Sequence, residues 1–185
     1  MSTQPLEAAI QSTRAVLAAT SRDQLGLPTP CASWDVAGLV NHLIGAQHFF
    51  LDAMNGQPSG EAPDFAAGDY LAAFDQATAA CLAAFSAEGA LTKTVKLPFG
   101  EMPAAAVVGL AATDTFTHGW DLAKATGQPT DLAPELAVGL LAASKQAIQS
   151  AFRGEDGKAP FGTEQQAPAG ATGADKLAAF LGRSV

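Results

Sequence analysis

The sequence predicts an all-α fold over residues 1–185: a four-helix bundle in a single domain, with one short extended segment and an irregular C-terminal tail. Three observations predict it. Hydrophobic residues make up 48% of the 185 and charged residues only 15%, so the chain can bury a sizeable core and is not a solvating segment. Alanine, the strongest helix former, is abundant, and 10 Phe with 2 Trp supply bulk to pack between Ala-lined helices. Apolar residues recur at helical spacing in long stretches bounded by Gly, Pro and capping residues.

The first helix is expected from Pro5 to Thr20. Leu6, Ile10, Val16 and Leu17 recur at helical spacing, and Pro5 suits a first turn. Gly26, Pro28 and Pro30 then break the chain into a loop over Leu25–Ala32. The second helix is the best marked. Ser33 is the expected N-cap, Asp35 places negative charge in the first turn, and Gly56 stands just past the end. Its apolar stripe is Val36, Leu39, Val40, Leu43, Ile44 and Leu51. A third helix is expected from Ala66 to Ala87, closed by Gly89. Residues Thr92–Pro98 alternate polar and apolar, which reads as a short strand, and Gly100 turns the chain. Pro103 opens a fourth long helix that ends at Gly127. A fifth is expected from Leu132 to Phe152, with Asp131 as N-cap. The tail Arg153–Gly173 is rich in Gly and Pro and reads as irregular, before a short helix over Asp175–Leu181. Four long helices with modest connections make a four-helix bundle, whose core is where a ligand or metal site is built.

Composition excludes several functions. A net charge of −8, with no basic run, argues against nucleic acid, whose phosphates need clustered Lys and Arg. The most apolar stretch, Ala104–Thr113, is too short to span a membrane. The N-terminal residues lack a basic start followed by an apolar run, so no signal peptide is read and a cytoplasmic location is expected. Cys31 and Cys81 form no CxxC pair and no disulfide scaffold. Cys31 sits near a helix N-terminus, where a thiolate can be stabilised; with no His or basic residue close in sequence it reads as inert. Phosphate-binding Gly loops and a GxSxG elbow are absent from the sequence.

The three histidines separate by helical phase. With Leu39 at zero and about 100° per residue, His42 falls near −60°, at the edge of the core stripe, and His48 near 180°, on the polar face. His48 therefore reads as a solvated histidine. The fourth helix carries Asp114 and His118 at i and i+4, on one face and one turn apart, with Asp121 on the same stripe. The stripe's other members, Val107, Ala111, Leu122 and Ala125, are small or apolar. A carboxylate and an imidazole projecting from a buried stripe need a partner, and a metal ion is one such partner. Such ligands suit Zn, Ni, Fe or Mn, and three protein ligands leave an open position. An Asp–His pair at this spacing also serves as a plain hydrogen-bonded pair, and His42 as a satisfied core-edge histidine. Trp120 falls about 200° from His118, away from that stripe.

Two stretches resemble a known family. Pro28–Leu43 (PTPCASWDVAGLVNHL) resembles the opening of the second helix in the DinB/YfiT-like superfamily, and more closely its actinobacterial branch, the mycothiol-dependent maleylpyruvate isomerase N-terminal-domain-like proteins. Asp114–Gly127 (DTFTHGWDLAKATG) resembles that branch's second signature. Phe161-Gly162 and Ala179–Arg183 resemble the finish of a metal-binding subgroup. The resemblance implies a DinB-like bundle with one divalent metal, zinc first and nickel second, held by His42, Asp114 and His118. Relatives often carry Glu or His where this chain has the shorter Asp114. It further implies mycothiol as co-substrate, a small-molecule substrate, and an S-transferase or isomerase-like activity; a homodimer is allowed. The expected reaction is thiol transfer to a small electrophile, with Asp121 orienting a ligand. A metal-dependent hydrolase and a non-catalytic metal- or small-molecule-binding module remain as alternatives.

Overall fold

The computed structural model describes residues 2–155 and 158–185. Four long helices, α1 (Gln4–Ala18), α2 (Val36–Met54), α3 (Tyr70–Ser86) and α4 (Ala104–Ala125), form the bundle. Helix α1 packs against α3 and α4, and α2 packs against the same two, so the helices close a ring around one core. Leu6, Leu17, Leu39, Leu43, Phe74, Phe85 and Phe116 fill that core. Two further helices, α5 (Pro134–Ala147) and α6 (Gly173–Phe180), pack on each other and on α4 outside the ring. The fold is thus mostly helical, as the sequence predicts. Among the described residues no helix is long and apolar enough to cross a membrane.

The helix starts follow their caps more than their apolar periodicity. Asp35, not Ser33, caps α2: its Oδ1 accepts from the Gly38 N–H at 2.8 Å, its backbone being extended. The loop before it does the rest of the capping. Val36 N–H donates to Leu27 O and Ala37 N–H to Leu25 O, so donors that a helix start leaves orphaned are satisfied by loop carbonyls. Helix α3 starts four residues later than expected, at Tyr70, because Asp69 caps it by accepting from Ala72 N–H. The residues before it are held in a turn by Asn41 of α2, which bonds Asp64 and Ala66.

Two departures from expectation concern the connections. The extended segment is a hairpin: β1 (Thr94–Leu97) pairs antiparallel with β2 (Gly100–Pro103), in register from Thr94 opposite Pro103 to Leu97 opposite Gly100. The fifth helix is shorter than expected. It begins at Pro134, after Ala133 in the left-handed region (φ 32°), so Asp131 is not its cap. It ends at Ala147, where Ile148 turns extended (ψ 108°), and a separate 3-10 turn covers Ser150–Phe152. The apolar spacing of Ile148 and Phe152 mimics a continuing helix. The chain leaves it because Phe152 O accepts from Phe161 N–H and Gly154 N–H donates to Phe161 O, pairing the tail back on itself.

Helix α4 is fixed in rotation by its neighbours. Thr115 O accepts from the Thr13 hydroxyl of α1 at 2.9 Å, and Thr115 Oγ1 accepts from Gln47 Nε2 of α2 at 2.9 Å. A Cβ at Gly119 would run into the Thr13 side chain, so glycine there lets α1 and α4 approach closely. These contacts bracket Asp114 and His118 and set which way they point.

Candidate metal centre

His42 projects from the second turn of α2, and Asp114 and His118 from successive turns of α4. The structure brings the three together. Oδ1 of Asp114 lies 3.4 Å from Nε2 of His42 and 3.6 Å from Nε2 of His118. The donor atoms of the three side chains all lie within 4.8 Å of one another. Distances of 3.4 and 3.6 Å are long for hydrogen bonds, whose usual range ends near 3.2 Å. They match the edge of a coordination shell instead. Two ligands about 2.0–2.1 Å from one ion at the tetrahedral angle stand about 3.3 Å apart. Oδ2 of Asp114 is buried with no hydrogen-bond partner among the described residues, which is costly for a carboxylate and fits a group that neutralises it. The donor set can therefore hold a divalent ion with a position to spare.

Further contacts fix these side chains. Nδ1 of His118 lies 2.9 Å from Oδ2 of Asp121, which is fully buried. A carboxylate can only accept, so Nδ1 carries a proton, and Nε2, on the Asp114 side, is the nitrogen left to take an ion when the ring is neutral. This is the carboxylate–histidine arrangement that orients metal ligands. Burial would raise the Asp121 pKa, but the His118 hydrogen bond and the Arg183 charge outweigh it and hold the carboxyl at about 2. Asp114 is likewise held below the usual carboxylate range: burial opposes this, while the contact with His42, the positive charge that His118 and His42 carry when protonated, and the Arg183 charge prevail. The Trp34 ring stacks on His42 (centroids 4.5 Å apart, 25° between planes) and meets His118 edge-on at 5.5 Å. It limits how far either imidazole can turn.

His48 is exposed and stacks on Phe65, about 120° round α2 from His42. Trp120 is fully buried away from the cluster, its Nε1 donating to Asp175 Oδ1 of α6 at 2.9 Å.

Two residues at the site escaped the sequence reading. Half-buried Cys31 is not isolated: its Sγ lies 3.3 Å from Asp121 Oδ2 and 3.4 Å from Nη2 of Arg183. It also joins His118 and Asp121 in a second cluster of donor atoms within 4.8 Å. Arg183, near the C-terminus, grips Asp121 through Nε (3.2 Å) and Nη2 (3.0 Å). The inert reading of Cys31 rested on the absence of a basic neighbour in sequence, and the basic neighbour arrives from 152 positions away. The one signal for Arg183 was its place in the family-like finish Ala179–Arg183. Cys81 differs: it is buried in the core, which pushes its thiol pKa up to about 12 and keeps it unreactive.

Comparison with known proteins agrees with this architecture. The uncharacterized proteins MT0763 and Rv0738, from two Mycobacterium tuberculosis strains, are each 44% identical to the chain over 171 residues, spanning 92% of it and 91% of their own length. The crystal structure of the mycothiol-dependent maleylpyruvate isomerase superposes with a TM-score of 0.59 at 17% identity, covering 77% of this chain and 67% of that one, which shows a shared fold. The family model described as the mycothiol maleylpyruvate isomerase N-terminal domain matches residues 6–123, a span holding most of α1, α2, α3, most of α4 and all of His42, Asp114, His118 and Asp121. The chain belongs to the mycothiol maleylpyruvate isomerase N-terminal domain family.

Proposed function

We propose that this protein is a divalent-metal-dependent enzyme that uses a low-molecular-weight thiol, mycothiol, to attack a small electrophile as an S-transferase. The observation that carries the reading is the convergence of His42 and His118 on Asp114 Oδ1, at 3.4 and 3.6 Å, beside an Oδ2 that is buried with no hydrogen-bond partner among the described residues. Membership in a family named for a mycothiol-dependent reaction supports the choice of thiol.

His42, Asp114 and His118 would hold the ion. An ion held there would lower the pKa of a nearby thiol and so supply a thiolate near neutral pH. The chain's own residues supply the rest. Asp121 keeps the proton on Nδ1 of His118 and so keeps Nε2 available. Trp34 covers one face of His42 and holds the two imidazoles near a right angle, 73° apart. In the transfer, sulfur forms a bond to the electrophilic carbon, the bond to the leaving group breaks with its electron pair, and the thiol proton passes to solvent.

Titration of the cobalt-loaded protein with mycothiol tests this. The expected result is a sulfur-to-cobalt charge-transfer band that saturates with thiol and is absent from the metal-free protein. A cobalt spectrum unchanged at saturating thiol would overturn the transferase reading.

A further inference from the structure

We infer that Arg183 is a positioning residue of the metal centre, acting on His118 through Asp121 and delivered by a C-terminal segment that lies outside the family-matched residues 6–123. The inference rests on the metal reading above for its consequence, but its geometric basis stands without it.

The guanidinium faces the Asp121 carboxylate fork to fork, Nε to Oδ1 at 3.2 Å and Nη2 to Oδ2 at 3.0 Å. Nη1 also donates to Leu181 O at 3.1 Å, and Nη2 to Cys31 Sγ at 3.4 Å. These contacts occupy four of its five N–H groups, so the group is turned inward and committed. It has little left with which to recognise an anionic ligand directly. What it does is fix both oxygens of Asp121. Only one of those oxygens, Oδ2, reaches Nδ1 of His118. A lone buried carboxylate on one imidazole would be under-compensated and free to swing; a bidentate arginine removes both faults. Lysine, a point charge, cannot hold two oxygens in one plane in this way.

The segment that presents Arg183 is itself built for the purpose. Gly182 has φ +98°, and a Cβ there would stand 2.5 Å from the Cα of Gly162, so two backbones touch where only glycine fits. Nη1 of Arg153 donates to Gly162 O at 2.9 Å and to Phe180 O at 2.7 Å, and its guanidinium lies 4.5 Å from the Phe180 ring centroid. Leu181 is buried. Arg183 therefore leaves a clasped backbone rather than a loose end, and its fork arrives at Asp121 with its orientation already set.

The test compares Arg183→Ala and Arg183→Lys with wild type in two ways. In the metal-free protein, nitrogen-15 NMR of the imidazoles reads the His118 tautomer. Wild type is expected to show a single Nδ1-protonated form, Arg183→Ala a mixture, and Arg183→Lys an intermediate state. In parallel, zinc competition is expected to show a Kd raised 10–100-fold in Arg183→Ala and less in Arg183→Lys. The d–d bands of the cobalt-loaded protein should shift in the same order. An unchanged tautomer, together with an unchanged Kd and spectrum in the folded variants, overturns the inference. Should Arg183→Ala fail to fold, Arg183→Lys decides by the same criteria. If wild type binds neither zinc nor cobalt, the metal reading falls while the tautomer comparison still judges Arg183.

Discussion

Nδ1 of His118 lies 2.9 Å from Oδ2 of Asp121, three residues further along the same helix. The contact engages one ring nitrogen and leaves the other, which stands 3.6 Å from Asp114, as the one that would meet an ion. Asp121→Asn keeps the shape but offers an amide that can donate as well as accept, so the imidazole can flip its proton. The expected result is a 10–100-fold weaker metal Kd, measured by competition with a chelator, with the far-UV circular dichroism unchanged. An Asp121→Asn protein that binds metal as wild type does would remove Asp121 from the site.

The proposed ligands themselves should give a larger effect. Wild type reconstituted with zinc is expected to carry about one ion per chain after desalting, and His118→Ala essentially none, because two remaining ligands cannot retain it. Elemental analysis reads both. Absence of stoichiometric metal in wild type would end the metal reading.

His48 is the internal control. It is exposed and stacks on Phe65, with ring centroids 5.6 Å apart. His48→Ala should leave metal content as in wild type and change stability by no more than about 0.5 kcal/mol, the usual range for surface sites. Metal loss comparable to that of His118→Ala would contradict the placement of His48 outside the cluster.

The parts of the site that were legible in sequence are those that one helix or one helical phase determines. Asp114, His118 and Asp121 share a stripe by spacing alone, and the phase of α2 puts His42 on its core edge while sending His48 to the polar side. Arg183 and Cys31 were not legible, because each meets Asp121 only through tertiary packing, across 62 and 90 positions. The fold shows the same division. The four long helices follow from apolar periodicity. The boundaries went wrong where a local hydrogen bond outweighed it: Asp35 and Asp69 as caps, and Phe161 pairing with Phe152 to end the fifth helix early. The second strand of the hairpin, Gly100–Pro103, is too short and too exposed to carry an alternating pattern of its own.

Acid should expose the Asp121 network in the metal-free protein. The carboxyl is held at about 2 in the fold: burial works against this, and His118 and Arg183 overcome it. In the unfolded chain an Asp titrates near about 3.9. The folded value is the lower one, so the stabilisation is fully present above about pH 4 and is lost as pH falls towards 2. Its size is on the order of 3 kcal/mol, from about two pKa units at about 1.4 kcal/mol each. Urea midpoints taken between pH 5 and pH 2 should therefore fall more steeply for wild type than for Asp121→Asn. Parallel curves would show that Asp121 does not carry this linkage.

Trp120 tests how far the tail and the proposed metal centre are one structure. Its ring is fully buried, and its Nε1 donates to Oδ1 of Asp175 at 2.9 Å. Asp175 also accepts from the backbone of Thr172, the cap of α6, so Trp120 anchors the start of the helix that ends in Phe180 and leads to Arg183. Trp120→Ala removes a large core side chain and should cost about 3–5 kcal/mol. Trp120→Phe keeps much of the bulk but leaves Asp175 short of one donor, a loss nearer 1 kcal/mol. Because α6 carries the segment that presents Arg183, the Ala variant should also bind metal more weakly. That loss should follow the loss of stability and shrink in the Phe variant. Urea unfolding and zinc competition on the two variants read both quantities. Weaker metal binding in Trp120→Ala without lost stability would place Trp120 at the metal centre itself, contrary to its position on the opposite side of α4.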